Sequence, residues 1–188
     1  MTWQQFFVLL HLVGFALGVG GATVSDITFF KALRKKLITS EQLAFLETLS
    51  KIIWAGSIIL ILSGLAIFAI IYSEQNGLPM LSSPRWQTKL ALVVIIVLNG
   101  INFKMAIMPA LKNLVGQQLS LINIKPILGR LAFSGTLSIL SWYSILLISQ
   151  LPRTFRPSIL YFFGVYLVML IGGFIFSRLV ITKILNKQ

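Results

Sequence analysis

Apolar residues gather along this chain into five blocks of about 20, over residues 6–30, 52–72, 86–108, 131–151 and 158–180, the length that crosses roughly 30 Å of hydrocarbon at about 1.5 Å per residue. Basic, Pro-containing or Ser-rich stretches separate them. The pattern predicts an all-α fold: a polytopic membrane helical bundle of about five transmembrane helices, forming one domain over residues 1–188. The first block lacks a positive n-region and runs longer than a signal-peptide core, so it reads as a retained helix. Thr39 followed three residues on by Gln42 has capping-box spacing, and Leu43, Leu46 and Leu49 after it suggest an interfacial turn or two before the second span. Gly77, Pro79 and Pro84 mark a loop. Pro109 is expected to end the third span, with a partly amphipathic connection of some twenty residues before the fourth; Pro152 and Pro157 separate the last two.

Charge adds an orientation. With five spans, one side carries Arg85, Lys89, Arg153 and Arg156, and the other carries the remaining twelve of the 16 Lys and Arg. By the positive-inside rule this places the N-terminus outside and the C-terminus inside. Trp3, Tyr72, Trp86 and Tyr161 then form an outer aromatic belt. In a soluble chain a net charge of +12 would point to nucleic acid. Here the basic residues flank apolar blocks, where headgroups favour them, so the expected partner is the lipid bilayer and not nucleic acid.

Composition agrees: 57% of residues are hydrophobic, only 11% are charged, and the mean hydropathy is +0.92. The absence of cysteine rules out disulfides, thiolate metal sites and thiol nucleophiles. Four acidic residues, Asp26, Glu41, Glu47 and Glu74, leave no room for a dinuclear carboxylate centre within the spans, and a single histidine excludes paired-histidine haem ligation.

Ionisable groups inside apolar spans cost at least about 2.5 kcal/mol each at mid-depth on insertion scales, so each requires a reason. His11, Gly14, Gly18, Ala22 and Ser25 share one helix face, on which small residues admit another backbone. His11 therefore points into the bundle, as a haem or metal ligand, a proton carrier, or a neutral ring bonded to a Ser or Asn of another helix. Asp26 pairs either with Lys31 or Arg34 at headgroup level or, facing inward, with Lys104. Lys89 either snorkels outward beside Trp86 or joins His11 in holding an anionic group. Asn99, Asn102 and the ridge Ser134, Ser138 and Ser141 can bond between helices. Met80 is a weak candidate for a second haem ligand.

His11 with LVGFALGVGG, the pair Ser63 and Gly64, and Lys89 heading KLALVVIIVLNG resemble, in that order, the CopD copper-resistance family and the HemJ-type protoporphyrinogen oxidases, small bacterial membrane proteins. The resemblance covers the first three segments. It implies a bacterial inner (plasma) membrane location and a haem- or copper-associated site on the outer half of helices one and three, built on His11 and Lys89. Where the HemJ-type pattern has Arg beyond the Gly turn, this chain has Asp26. Three functions follow, in this order: a cofactor-binding membrane protein using His11 and Lys89; an accessory subunit in a homo-oligomer or larger membrane complex; and a small transporter with Asp26, Asn99, Asn102 and the Ser ridge along a polar path.

Overall fold

The computed structural model describes every residue except Met1, Asn76, Leu78, Arg153, Arg156, Lys187 and Gln188, and leaves aside the side chains of Gln75, Pro79 and Met80. The candidate Met80 side chain and the charges of Arg153, Arg156 and Lys187 thus lie outside the described residues. The chain is 88% helical, without strands among the described residues. Its elements are α1 (Trp3–Lys35), α2 (Ser40–Gln75), a short 3-10 turn (Pro79–Ser82), α3 (Pro84–Asn102), a π-helical turn (Phe103–Ile107), α4 (Met108–Lys112), α5 (Leu121–Gln150) and α6 (Ile159–Asn186). With α3 and α4 taken as one rod, five helices among the described residues are long and apolar enough to cross a membrane.

Burial departs from the pattern of a soluble protein on the outer surface, which is apolar in mid-helix. Leu62 is 62% exposed and Val168 71% in mid-helix, whereas Ser57, Ser63, Thr88, Asn99, Ser134, Thr136 and Ser141 are buried. Apolar side chains that face outward cost little where the surroundings are hydrocarbon, while polar groups seek partners inside. Such a distribution fits a multi-pass membrane protein.

Helix α1 and helix α2 form an antiparallel hairpin crossing at glycine. A Cβ on Gly14 would stand 2.7 Å from Gly56 O and from Leu60 N, and one on Gly56 would stand 2.8 Å from Gly14 O. Further along, Gly18 lies against the ring of Trp142 in α5, and Gly21 against Ile53. The expected capping box is present: the Thr39 N–H donates to Gln42 Oε1 and the Gln42 N–H to Thr39 Oγ1, both at 3.1 Å. Leu43, Leu46 and Leu49 are buried within the same continuous helix, not in a separate turn.

Two helix limits differ from expectation. Pro109 does not end the third span. A proline lacks an N–H and its ring crowds the carbonyl four residues back; here the turn before it widens, the Met108 N–H reaching back to Phe103 O, and the rod continues to Lys112. The segment before residue 131 is also helical, because Ser120 caps α5 through the Asn123 N–H. Ile124 and Leu128, one turn apart, are buried there.

One end of the bundle is knitted together by backbone. The α1–α2 connection meets the 113–120 segment through the Gly116 N–H to Ile38 O at 3.0 Å and the Leu119 N–H to Lys36 O at 2.8 Å. At the other end, Arg85 donates to the backbone carbonyls of Leu151, Pro152 and Phe155, tying the start of α3 to the α5–α6 connection. The core divides accordingly. One apolar cluster, with Leu33, Ile38, Leu111, Ile124 and Ile181, fills the knitted end; a second, with Leu60, Leu92, Trp142, Ile145 and Phe162, fills the end bearing the N-terminus.

Candidate functional site

Two polar constellations lie inside this frame. The first is centred on His11, whose position on the glycine face of α1 turns it toward α2. His11 Nδ1 is 3.1 Å from Ser63 Oγ. That hydroxyl has one proton, and Ile59 O at 2.6 Å takes it, so the serine oxygen accepts from the Nδ1–H. A neutral ring in this tautomer keeps its lone pair on Nε2. Gly64 makes room for the ring, since a Cβ there would stand 3.3 Å from His11 Cε1. Lys89, on α3, lies within electrostatic reach of His11, but its ammonium sits 4.3 Å from the centroid of the Trp86 ring, which itself packs on Phe68. The structure thus joins His11 to the Ser63–Gly64 pair and sets Lys89 against an aromatic face.

A second constellation lies between the two apolar clusters, where all five long helices border a cavity of about 300 Å³. Asp26 of α1 reaches it, with Oδ1 3.7 Å from where a Cβ on Gly135 of α5 would stand. Asp26 has no hydrogen bond or ion pair among the described residues. The partners expected for it all point away: Lys31, Arg34 and Lys104 are exposed. Geometry explains the first, since a residue five positions on lies about 140° around a helix. No Lys, Arg or His borders the cavity, so Asp26 is the one ionisable side chain among its described lining residues.

Asn99 and Ser134 form part of the wall as a closed pair. The Asn99 Nδ2–H donates to Ser134 O at 3.0 Å, and the Ser134 hydroxyl donates to Asn99 Oδ1 at 2.8 Å. Ser25, Ser50, Ser138 and Ser177 also border the cavity and make no hydrogen bond among the described residues. Asn102 is exposed and lies off the cavity. Ser141 too lies elsewhere, held by the Tyr166 hydroxyl at 2.7 Å.

Sequence reasoning missed Trp142, Trp54 and the α2 serines at 50 and 57. Trp142 is 1% exposed, and its indole N–H is the single buried side-chain polar atom among the described residues that lacks a partner. A signal existed: tryptophan favours membrane interfaces, and one in the middle of an apolar block is out of place there. Ser50 and Ser57, seven residues apart, share a helix face and could have been read together.

No cluster of three or more His, Cys, Asp or Glu able to hold a metal ion occurs among the described residues. Comparison with family models, with curated proteins and with solved structures finds no match. Fold and site define a class, an apolar helical bundle with an acid-bearing cavity between its helices.

Proposed function

We propose that this chain is a multi-pass protein of the bacterial inner membrane, with its N-terminus outside and its C-terminus inside, which binds a small solute in the Asp26 cavity and passes it across the bilayer. One observation carries the reading: a carboxyl group without a counter-ion among the described residues borders a cavity lined by all five long helices described. A solitary acid among apolar helices is expensive, and such residues mark solute, ion or proton paths. Because its walls come from different helices, small relative movements of those helices would reshape the cavity, as alternating access requires.

Uptake into proteoliposomes, with a panel of radiolabelled cations, neutral solutes and anions, tests transport. Saturable uptake of at least one solute is expected, reduced at least tenfold by Asp26→Asn. Rates equal to those of empty liposomes for the whole panel, or uptake indifferent to Asp26→Asn, would overturn the reading. Orientation has its own test, aided by a sequence free of cysteine. In intact cells a membrane-impermeant maleimide is expected to label Ser82→Cys and to spare Gln117→Cys until the membrane is opened; the reverse pattern would invert the topology.

A second reading, a haem-associated protein using His11 and Lys89, is favoured by the free Nε2 that the Ser63 bond leaves on His11. The residues fit haem in part. They offer one axial nitrogen and one cation for a propionate, but neither of the two cavities described at this bundle includes them. When bound, such a group would supply electron transfer; the chain's own contribution is a tautomer fixed by Ser63 and a cation held by Trp86. Purified protein, supplied with haem and reduced with dithionite, is then expected to give Soret and α bands that His11→Ala abolishes. A colourless sample after that supply, or bands unchanged in His11→Ala, would remove this reading.

A further inference from the structure

The charge of the cavity narrows what it can hold. Among the described residues Asp26 meets no cation from any element around it: the α2 wall contributes Ser50 and Trp54, the α3 wall Asn99, and the α5 and α6 walls hydroxyls, small residues and apolar side chains. An uncompensated carboxylate among helices is stabilised when an opposite charge arrives within a few ångströms, because the low dielectric strengthens their attraction. The rest of the wall suits the body of an organic cation better than a hydrated metal ion. Phe29, Phe30, Trp54, Phe103 and Phe176 line the space, and aromatic rings offer apolar contact and, face on, attraction for ammonium groups. Further carboxylates, which a metal ion would need, are absent among the described lining residues.

Trp142 also belongs to the cavity wall; its buried indole N–H has no acceptor among the described residues and, being a donor, takes no part in holding an ammonium group. Hydroxyls at Ser25, Ser138 and Ser177, which make no hydrogen bond among the described residues, also line the cavity and can accept N–H groups.

We propose that the cavity binds a small organic monocation, a protonated amine on an apolar body, with Asp26 as its counter-ion. The proposal rests on the reading of this cavity as the solute site, and adds the chemical class of the solute. With about 300 Å³ available, the cavity sits at the small end of ligand sites, which matches an amine bearing one ring or a short branched chain.

The test compares two molecules of nearly the same shape. Detergent-purified full-length protein is titrated at neutral pH with radiolabelled phenethylamine, a cation, and separately with 2-phenylethanol, its neutral counterpart; only saturable binding counts. The expected result is binding of the amine at least tenfold tighter than the alcohol, with Asp26→Asn removing that preference. Equal affinity for the two, no saturable amine binding, or a preference that survives Asp26→Asn overturns the proposal. Should Asp26→Asn fail to give a monodisperse protein, Gly135→Leu replaces it: a side chain there begins 3.7 Å from Asp26 Oδ1 and is expected to block the amine. The two readings fail separately. Amine binding without flux in proteoliposomes sustains the ligand class and sinks transport; Asp26-dependent uptake restricted to neutral solutes or anions sustains transport and sinks the ligand class.

Discussion

Alanine at Gly14 is expected to cause the largest loss of stability of any alanine substitution in the chain. The added methyl group would begin 2.7 Å from Gly56 O and 2.7 Å from Leu60 N, well inside van der Waals contact. Both obstacles are backbone, so no side-chain rotation can relieve the clash, and the α1–α2 hairpin must spread. Overpacking of a close-packed core costs about 1–3 kcal/mol where side chains can shift, and more is expected where a helix axis must move. Gly18→Ala is the informative comparison. Its methyl group would begin 2.1 Å from Trp142 Cη2, a worse clash on paper but with a side chain, so Trp142→Leu in the same chain is expected to recover most of the loss. At Gly20, where nothing lies within 4 Å, alanine is expected to be neutral or to stabilise by up to about 1 kcal/mol through helix propensity. Unfolding in graded SDS, followed by far-UV circular dichroism, gives all four values. A Gly14→Ala protein as stable as Gly20→Ala would mean that the hairpin crossing is not as close as described.

Breaking the Asn99–Ser134 pair is the second large effect. Two reciprocal hydrogen bonds join α3 to α5 between residues that are 9% and 2% exposed. Asn99→Leu removes both and leaves the Ser134 hydroxyl without its acceptor, at an expected cost of about 1–3 kcal/mol for the stranded polar group. Ser134→Ala in the Asn99→Leu background is then expected to cost little or to restore stability. The double-mutant cycle reports the bond between the Ser134 hydroxyl and Asn99 Oδ1 alone, since the Asn99 Nδ2 bond to the Ser134 backbone carbonyl survives Ser134→Ala, and its coupling energy should fall within membrane-protein values, about 0.6–1.7 kcal/mol. A coupling indistinguishable from zero would show that water in the cavity replaces that bond without loss.

Much of this arrangement was legible in the chain. Five apolar blocks gave five long helices, since block length reports a physical thickness. The small-residue face of α1 marked where another helix backbone approaches, and the structure shows α2 doing so at Gly14 and Gly18; Thr39 with Gln42 marked the start of α2. Pro109 misled because its cost was assigned to a helix end; a single widened turn at residues 103–107 absorbs it instead. The stretch around Lys125 and Arg130 looked like a connection because its polar residues are conspicuous, whereas Ile124 and Leu128 bury one face of it.

The candidate sites were less readable, for a different reason. Composition named Asp26 and His11 as residues that require explanation, but which way a side chain points depends on helix rotation and on neighbours far away in sequence. Lys31 is close to Asp26 along the chain and far from it around the helix. Gly135, more than a hundred residues on, is what Asp26 faces. Similarly, Ser63 could be suspected as a partner for His11 from the order of motifs, while the opposition of Trp142 to Gly18 could not, because nothing in either local sequence refers to the other.

The clasp at Arg85 bears on how the chain assembles as it is made. Its three carbonyl acceptors lie 66, 67 and 70 residues downstream, so at about 5–20 residues per second of synthesis they emerge roughly 3 to 14 s after the arginine. The α1–α2 hairpin has all its crossing glycines by residue 56 and can close while the ribosome is still translating α3. The N-terminal hairpin is then a template already standing, and the α5–α6 connection is a latch that drops only once α5 has been made. A nascent chain stalled before residue 113 would hold a finished hairpin beside a third helix that has neither the Asn99–Ser134 pair nor the Arg85 clasp to fix it.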